Sequence, residues 1–562
     1  MMNSVLPGFS QAQWKFLATV EALGGIAPID AVVEMAPLMP SELLDLIRRA
    51  EHNGLLQKTA NDYFGLAPDI PSDVLSKLQS FNSPDRVSEI FVHLKDTGWL
   101  SRLSQPAIIP LLMKANRFEE VVTIRLNLTK TAIDHLNMED AIANLSQVIK
   151  FHLKHPGHSE IEKRLIDHAL TASNLSAAMG KGFTAVQPLL RKLLLVSESS
   201  GDRRSHAMIL LHLGRLYYLS FMNTEFLKAF SAGKQIVDEL GDEDILFQSA
   251  EFVGLYYFVQ GDFKQAMIHY ERASEWSRYT ENKIINPFAP VFFCLTTMAL
   301  GQFARAFNLM DIFHRIAVQK NLPSVATTLR AVLGYMLLTF HKNEEALHHL
   351  TIAETEGTQQ HNELGLFAVR LFKSYYHYLK GDLPEARDLL LSALRGAAVA
   401  RIISPYAVFP WVLEMLFEFD KHHIEIPAEY GFDGSVQRVK QDLNICLKGV
   451  LMRLLAKRAA ANGESTEQIK GYLEKSLHFL VRSGPVVQLA RTQLALARFE
   501  LTYGNRETAS MYARQAWDTL PINTKRLFPD DLQHLIENIS KGPFLKSFLS
   551  PEIISNRFSG AI

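Results

Sequence analysis

The sequence predicts an all-α array of stacked helix pairs, each about forty residues long, headed by a small module of different pattern. Three observations predict it. Ala266, Ala306, Ala346 and Ala386 recur at a spacing of forty residues. Gly261, Gly301 and Gly381 precede three of them by five positions, and Ala273, Ala353 and Ala393 follow three by seven. Residues 10–66 carry other periodicities and other ends. A fixed period in this range is the signature of a helical repeat, in which each unit buries its apolar face only by stacking on its neighbours.

A chain of 562 residues exceeds a single compact core, so several domains or a solenoid are expected. Hydrophobic residues make up 48% and charged residues 21%, an ordinary balance for a folded protein. The 58 Lys and Arg against 59 Asp and Glu argue against a strong overall field for a polyanion. Two distant cysteines, Cys294 and Cys446, build neither a disulfide framework nor a zinc cluster. The N-terminus has no basic and apolar leader pattern, and the most apolar stretches, such as 289–300, are too short to span a bilayer. The expectation is a cytoplasmic protein with no membrane partner.

The first element is the head. Ser10 to Leu23 reads as a helix with Trp14, Leu17, Val20 and Leu23 on one face. Ile29 to Met35 is a short second helix. Pro40 and Glu42 open a third, as a helix start prefers. Asn53-Gly54 ends it. Leu55–Lys58 and Tyr63–Leu66 then form a hairpin around Ala60-Asn61-Asp62.

In the array, Gly254 and Tyr257 sit on a first helix, Gly261 in the turn, and Ala266, Tyr270 and Ala273 on a second helix. Small faces large because two antiparallel helices approach closely only where a small residue meets a bulky one. Gly301, Ala306 and Met310 repeat the pattern, as do Gly334, Ala346 and Leu350, then Gly381, Ala386 and Leu390. Leu213-Gly214 opens an upstream block, Val186, Leu190 and Leu193 an earlier degenerate one. Ile469, Leu473 and Ser476, then Ala509, Ala513 and Ala516, continue it downstream. The dense Pro and Gly of residues 422–438 read as a loop or break.

These blocks resemble tetratricopeptide (TPR) repeats, with small-x-x-aromatic on the first helix and alanine-x-x-x-aromatic-x-x-alanine on the second. The resemblance implies a right-handed α-superhelix. The unit is longer than the usual repeat of roughly 34 residues. The added residues are expected in stretches such as 272–286 and 355–364. Units of this length resemble the sensor regions of MalT-like regulators of the STAND class. The head, through "AEHNGLLQKTANDYFGLAP", resembles the winged helix that precedes the helical array in that class. The expected organisation is a winged-helix-like module at 1–70, a helical connector at 71–104 and the superhelix at 105–421. A break follows at 422–438, further repeats at 439–520, and a cap with a poorly ordered tail at 521–562.

Chemistry is sparse. The nearest string to a phosphate loop, Ala178-Met179-Gly180-Lys181-Gly182, lacks the first glycine and the hydroxyl after the lysine. So the nucleotide switch of the resembling class is absent, and no LuxR-type reader follows Pro521. Histidines cluster at 152, 155 and 158, at 348 and 349, and at 422 and 423; the first trio straddles Pro156-Gly157, where a helix should break, so solvated histidines near helix ends are expected rather than a metal site. No catalytic residue, cofactor or metal is expected, and the chain reads as no enzyme.

In TPR arrays the first helix lines the concave face. The inward positions here are Tyr218, Leu255, Phe258, Phe288, Leu295, Met298, Tyr335, Leu338, Tyr375 and Tyr378. Arg215 is the one cation beside them. An open groove of this kind prefers a protein or peptide with an apolar face, or a small apolar effector. The expected function is a binding scaffold in bacterial signalling or transcription control. One alternative is a DNA-binding regulator using the winged helix, with Arg48, Arg49 and Lys58 as its face. The acids around those cations disfavour DNA there. A second alternative is a structural assembly scaffold.

Overall fold

The computed structural model describes residues 8–36, 38–60, 63–103, 105–154, 159–179, 182–220, 222–279, 289–396 and 409–521. The expected tail beyond Pro521, and His155 and His158, lie outside them. The chain is all-α apart from one small sheet, and it forms two compact units, residues 1–169 and 170–562.

The first unit begins with α1 (Gln11–Ala22), β1 (Ile26–Pro28), α2 (Ile29–Met35), α3 (Pro40–His52), β2 (Leu56–Ala60) and β3 (Tyr63–Leu66). Ser10 and Gln13 close a reciprocal capping box at the start of α1. The three strands pair antiparallel in the order β1-β3-β2. Strand β1 escapes the sequence pattern because three residues are too few to alternate; pairing of Ile26 with Gly65 creates it. Trp14, Leu17, Val20, Leu46 and Ala50 are buried in the shared core. Helices α4 (Ser72–Ser80), α5 (Pro84–Asp96), α6 (Gln105–Lys114), α7 (Phe118–Asp134) and α8 (Met138–His152) follow, and the unit ends within α9 (Ser159–Met179). Glu21 ties α6 to α1, its carboxylate accepting from Lys114 Nζ at 2.6 Å.

The second unit is a superhelical repeat. Its helices are α10 (Phe183–Ser200), α11 (Arg203–Leu219), α12 (Asn223–Leu240), α13 (Glu243–Val259) and α14 (Phe263–Tyr279). Then come α15 (Ala289–Ala299), α16 (Phe303–Gln319), α17 (Pro323–Thr339), α18 (Asn343–Gln359), α19 (Glu363–Leu379) and α20 (Leu383–Gly396). The last are α21 (Trp411–Lys421), α22 (Phe432–Gln441), α23 (Ile445–Ala461), α24 (Thr466–Ser483), α25 (Val486–Tyr503) and α26 (Arg506–Thr519).

The long period now has a cause. Helices α16, α17, α18 and α19 are each 17 residues long, joined by links of three. The added residues therefore lengthen helices rather than loops. The stretch 355–364 is helix except for the link at 360–362. Each link places one residue in the left-handed region: Gly301, Asn321, His341, His361 and Gly381 in turn. That conformation ends one helix and turns the chain into the next.

The first helices carry a small buried residue at one slot: Gly214, Gly254, Cys294, Gly334 and Ser374. Phe230, Tyr270, Met310, Leu350 and Leu390 are buried at the matching slot of the second helices. The contact is tight. A Cβ on Gly254 would lie 2.8 Å from the Tyr270 ring, and one on Gly334 would lie 2.8 Å from Leu350. Of residues 422–438, expected as a loop or break, 422–431 carry no helix and the rest do. From Phe432 onward they form α22, with Phe432 packed on Phe417 at 5.3 Å and under the Arg458 guanidinium at 5.3 Å.

Two glycines separate close approach from mere propensity. Gly254→Ala is expected to destabilise the fold by about 1–3 kcal/mol, because the Tyr270 ring must move. Gly471, in the middle of α24, has open space where a Cβ would stand. Gly471→Ala is expected to stabilise by roughly 0.5–1 kcal/mol. Thermal denaturation of the two variants checks the opposite signs.

Candidate functional site: an aromatic chamber closed by the C-terminal helices

The array bends until its last helix pairs meet the turn between α13 and α14. The contact is polar and local. Asn444 Nδ2 donates to the Val259 carbonyl at 2.9 Å, and the Ile445 N–H to the Gln260 carbonyl at 2.9 Å. Ser483 Oγ donates to the Gly261 carbonyl, and Lys264 Nζ reaches the Val481 carbonyl at 2.9 Å. Gly261 has φ +70°, and a Cβ there would collide with Asn444 and stand 2.8 Å from the Cys446 nitrogen. Left-handed backbone and close approach both require glycine at this point.

The closure bounds a partly open chamber of about 130 Å³. One wall comes from the first helices of four successive pairs: Phe258 of α13, Leu295 and Met298 of α15, Tyr335 and Leu338 of α17, and Tyr375 of α19. The facing wall is Trp411 at the start of α21, Cys446 of α23, and Val487, Gln488 and Arg491 of α25. Tyr375 stacks on Trp411 at 4.2 Å between ring centroids, and Tyr335 lies 5.1 Å from Phe409. Such offset and edge contacts hold the rings in fixed orientations. Trp411 is 3% exposed, and its indole N–H interacts with the Tyr335 hydroxyl. Burial pushes both tyrosine hydroxyls up, Tyr375 to about 12, so they remain protonated near neutral pH.

Behind the facing wall lies a buried charge group. Glu414 of α21 accepts from Arg453 Nη2 at 2.6 Å with one oxygen and from Arg491 Nη1 at 2.6 Å with the other. Arg453 also donates to the Gln488 carbonyl at 2.9 Å and to Thr492 Oγ1 at 3.1 Å. Burial alone would raise the Glu414 pKa. The opposing pull of Arg491, then Arg453 and Lys457, outweighs it and holds the carboxyl at about 2. Two guanidiniums thus share one carboxylate, and Arg491 carries its charge to the chamber wall.

Of the ten residues expected to line a groove, Phe258, Leu295, Met298, Tyr335, Leu338 and Tyr375 stand on this chamber. Leu255 is buried among the helices. Tyr218 is buried against Phe226 at 5.5 Å and Phe292 at 5.8 Å. Tyr378 is half-buried beside Tyr375 at 6.2 Å, and Phe288 lies outside the described residues. Arg215, expected beside the groove, is instead buried. Its Nη2 donates to Ser173 Oγ at 3.1 Å and its guanidinium lies 5.2 Å over the Phe252 ring. The sequence reading missed Trp411, Gln488 and Arg491, since nothing in the repeat announces that the chain returns to close its own concave face.

On the head, Arg48 is exposed. Arg49 is engaged: its Nη2 donates to the Gly8 carbonyl at 2.9 Å, its Nη1 meets Asp45 at 3.3 Å, and it covers the Phe9 ring at 4.9 Å. Lys58 lies on β2, and its side chain falls outside the described residues. Among the described residues, no group of three His, Cys, Asp or Glu side chains could hold a metal ion, and no helix is long and apolar enough to cross a membrane.

No protein-family model matches the chain, and no curated protein does. Among solved structures, it is similar to a Rap protein complexed with competence and sporulation factor, at 16% identity and a TM-score of 0.45, over 73% of this chain and 98% of that one. The apo form of the quorum sensor NprR from B. thuringiensis follows at 14% identity and 0.33, over 71% of this chain and 99% of that one. A signal transduction ATPase with numerous domains and a tetratricopeptide repeat sensor, from Pyrococcus horikoshii, gives 13% identity and 0.30, over 74% and 66%. All three likenesses are distant, and the architecture rests on the chain's own helices.

The charge group sets a pH dependence. A carboxyl lowered from 4.5 to about 2 on folding contributes on the order of 3 kcal/mol above pH 4.5. That contribution is lost as pH falls through the folded value. Glu414→Gln is expected to lower stability at neutral pH by about 3 kcal/mol, since it leaves the buried Arg453 and the half-buried Arg491 without their carboxylate. The variant should also flatten the acid limb of the stability curve, as urea denaturation between neutral pH and pH 2 would read out.

Proposed function

We propose that the chain is a cytoplasmic, non-enzymatic binding scaffold in bacterial signalling or transcription control, and that the aromatic chamber is its recognition site. One observation carries the reading: rings from four successive repeats converge with Trp411 on a single chamber of about 130 Å³. Concave, mostly apolar sites with a few placed polar groups are where ligands bind. The volume sets the scale of the occupant. A cavity near 150 Å³ accepts one benzene-sized molecule, whereas a helix is about 10 Å across. The occupant is one ring, from a small effector or from a side chain of a peptide. Because the chamber joins the middle of the array to its end, an occupant that fits only the closed form favours that form.

The head belongs to the same reading as a winged-helix docking module. Its support is the order of helices and strands, three helices around a three-stranded antiparallel sheet. Arg49 is spent on Gly8 and Asp45, and Met39 and Leu44 stand 67% and 65% exposed beside Arg48. Such a face suits a protein better than phosphate.

Two measurements test these parts. A neutral single-ring probe, benzyl alcohol, is expected to raise the melting midpoint of the full chain, and Ala299→Trp, which fills the chamber, to remove that shift. No binding of the probe to the wild type would sink the chamber reading. In a mobility-shift assay at physiological salt, the chain is expected to give no sequence-specific DNA complex. A tight complex lost in Arg48→Ala/Arg49→Ala would instead make the head a DNA reader.

A further inference from the structure

We propose that His314, Arg330, His349 and Glu356 form a proton-sensitive tie between two successive helix pairs, one that holds while the imidazoles are neutral and loosens when they take up protons. The four residues come from three consecutive helices: His314 from α16, Arg330 from α17, His349 and Glu356 from α18. Arg330 Nη2 donates to His314 Nε2 at 3.3 Å, and its Nε lies 3.3 Å from Glu356 Oε2. Thr327 Oγ1 of α17 donates to the same carboxylate oxygen at 3.4 Å. One guanidinium therefore spans the seam between the α15–α16 pair and the α17–α18 pair.

The geometry fixes the protonation state. A guanidinium has donors only, so His314 Nε2 accepts, and the imidazole proton sits on Nδ1. Protonating Nε2 would replace that hydrogen bond by two cations 3.3 Å apart. The His349 Nδ1 is buried and has no hydrogen-bond partner among the described residues. A proton placed there would be a buried donor without an acceptor, which is costly.

Beyond these four, the charged and titratable groups within reach are Asp311 of α16 and Glu345 and His348 of α18. Asp311 is paired with Arg315 at 2.8 Å and Glu345 with Lys342 at 3.2 Å. Glu356 is thus the carboxylate left to balance Arg330, and each added proton leaves the group with excess positive charge. Burial lowers both imidazoles below the ordinary histidine value, and Arg330 lowers them further. The unfolded chain takes up these protons at about pH 6.5, and the folded chain resists them. The stabilisation is complete above that pH and is lost as pH falls below it towards the folded values. Tyr335 and Leu338 of the chamber wall lie further along α17, so the helix held by the tie is one that shapes the chamber.

Amide hydrogen exchange of the full chain at about pH 7.5 and about pH 5.5, a unit either side of the ordinary histidine value, tests the proposal. Rates are corrected for intrinsic exchange at each pH. The α16–α18 amides are expected to open more at the lower pH, by up to roughly tenfold for each imidazole that protonates only in the open form. Helices α21, α23 and α25, held by Glu414 with its carboxyl at about 2, are expected to change little. His314→Gln keeps an oxygen that accepts from Arg330 and takes up no proton, so it is expected to remove part of the acid response. His168, His212 and His269 are lowered as well and stay in both proteins, so the difference reports His314. The wild-type comparison stands alone if the variant fails to fold. The same acid response in wild type and variant would overturn the proposal, as would α16–α18 opening no more on acidification than α21, α23 and α25.

Discussion

Close approach of two helices at a residue with almost no side chain is the contact on which the second unit is built. Each repeat brings its helices together where Gly214, Gly254, Cys294, Gly334 or Ser374 makes room. Where the slot is glycine, the opposing Phe230, Tyr270 or Leu350 lies where a Cβ would stand. That slot fixes how closely two helices of about 25 Å can pack. Repetition at constant spacing then fixes how the next pair is offset. Position of the inward rings follows from the same offset, so the chamber is a product of packing before it is a site.

A second constraint turns the stack into an enclosure. Gly261 gives its carbonyl to Ser483 and a bare Cα to Asn444 and Cys446, so the last repeats seat on the α13–α14 turn. On α21, α23 and α25 the charges lie partly or wholly out of water, Arg453 most of all. Glu414, Arg453 and Arg491 answer one another because burying any of them alone would be costly. The polarity of the chamber is thus inherited from the electrostatics of closure.

Much of the architecture was legible in the residues. The alanine period, the turn glycines and the head's helix ends are local signals, and local signals survive in a linear string. The right-sized reading of the period was not legible. Seventeen-residue helices with three-residue links and ordinary helices with longer loops give the same spacing. Strand β1 was hidden because pairing, not pattern, makes it. Six of the expected groove residues stand on the chamber, since first-helix positions repeat in phase. Their partners on α21 and α25 were not found, because no local pattern relates Tyr375 to Trp411 or Phe258 to Arg491. A signal did exist: Glu414 and Arg453 each interrupt an apolar helical run, in Trp411–Phe419 and Val450–Ala456. A charge within such a run asks for an opposite charge, and the two lie at near-repeat spacing.

The seat at Gly261 also bears on how this chain folds. An open stack of repeats is nearly one-dimensional: each pair answers only to its neighbours, and the ends fray first. Hydrogen bonds from Asn444 and Ser483 to the α13–α14 turn span 185 and 222 residues of chain. They close a ring of helix pairs and remove one free end. Loss of a pair inside the ring then strains every other, so fraying gives way to collective opening. The entropy of closing so long a loop is met late in folding, after the repeats have formed. The last pairs therefore act as a keystone, placed at the end and holding what was assembled before it.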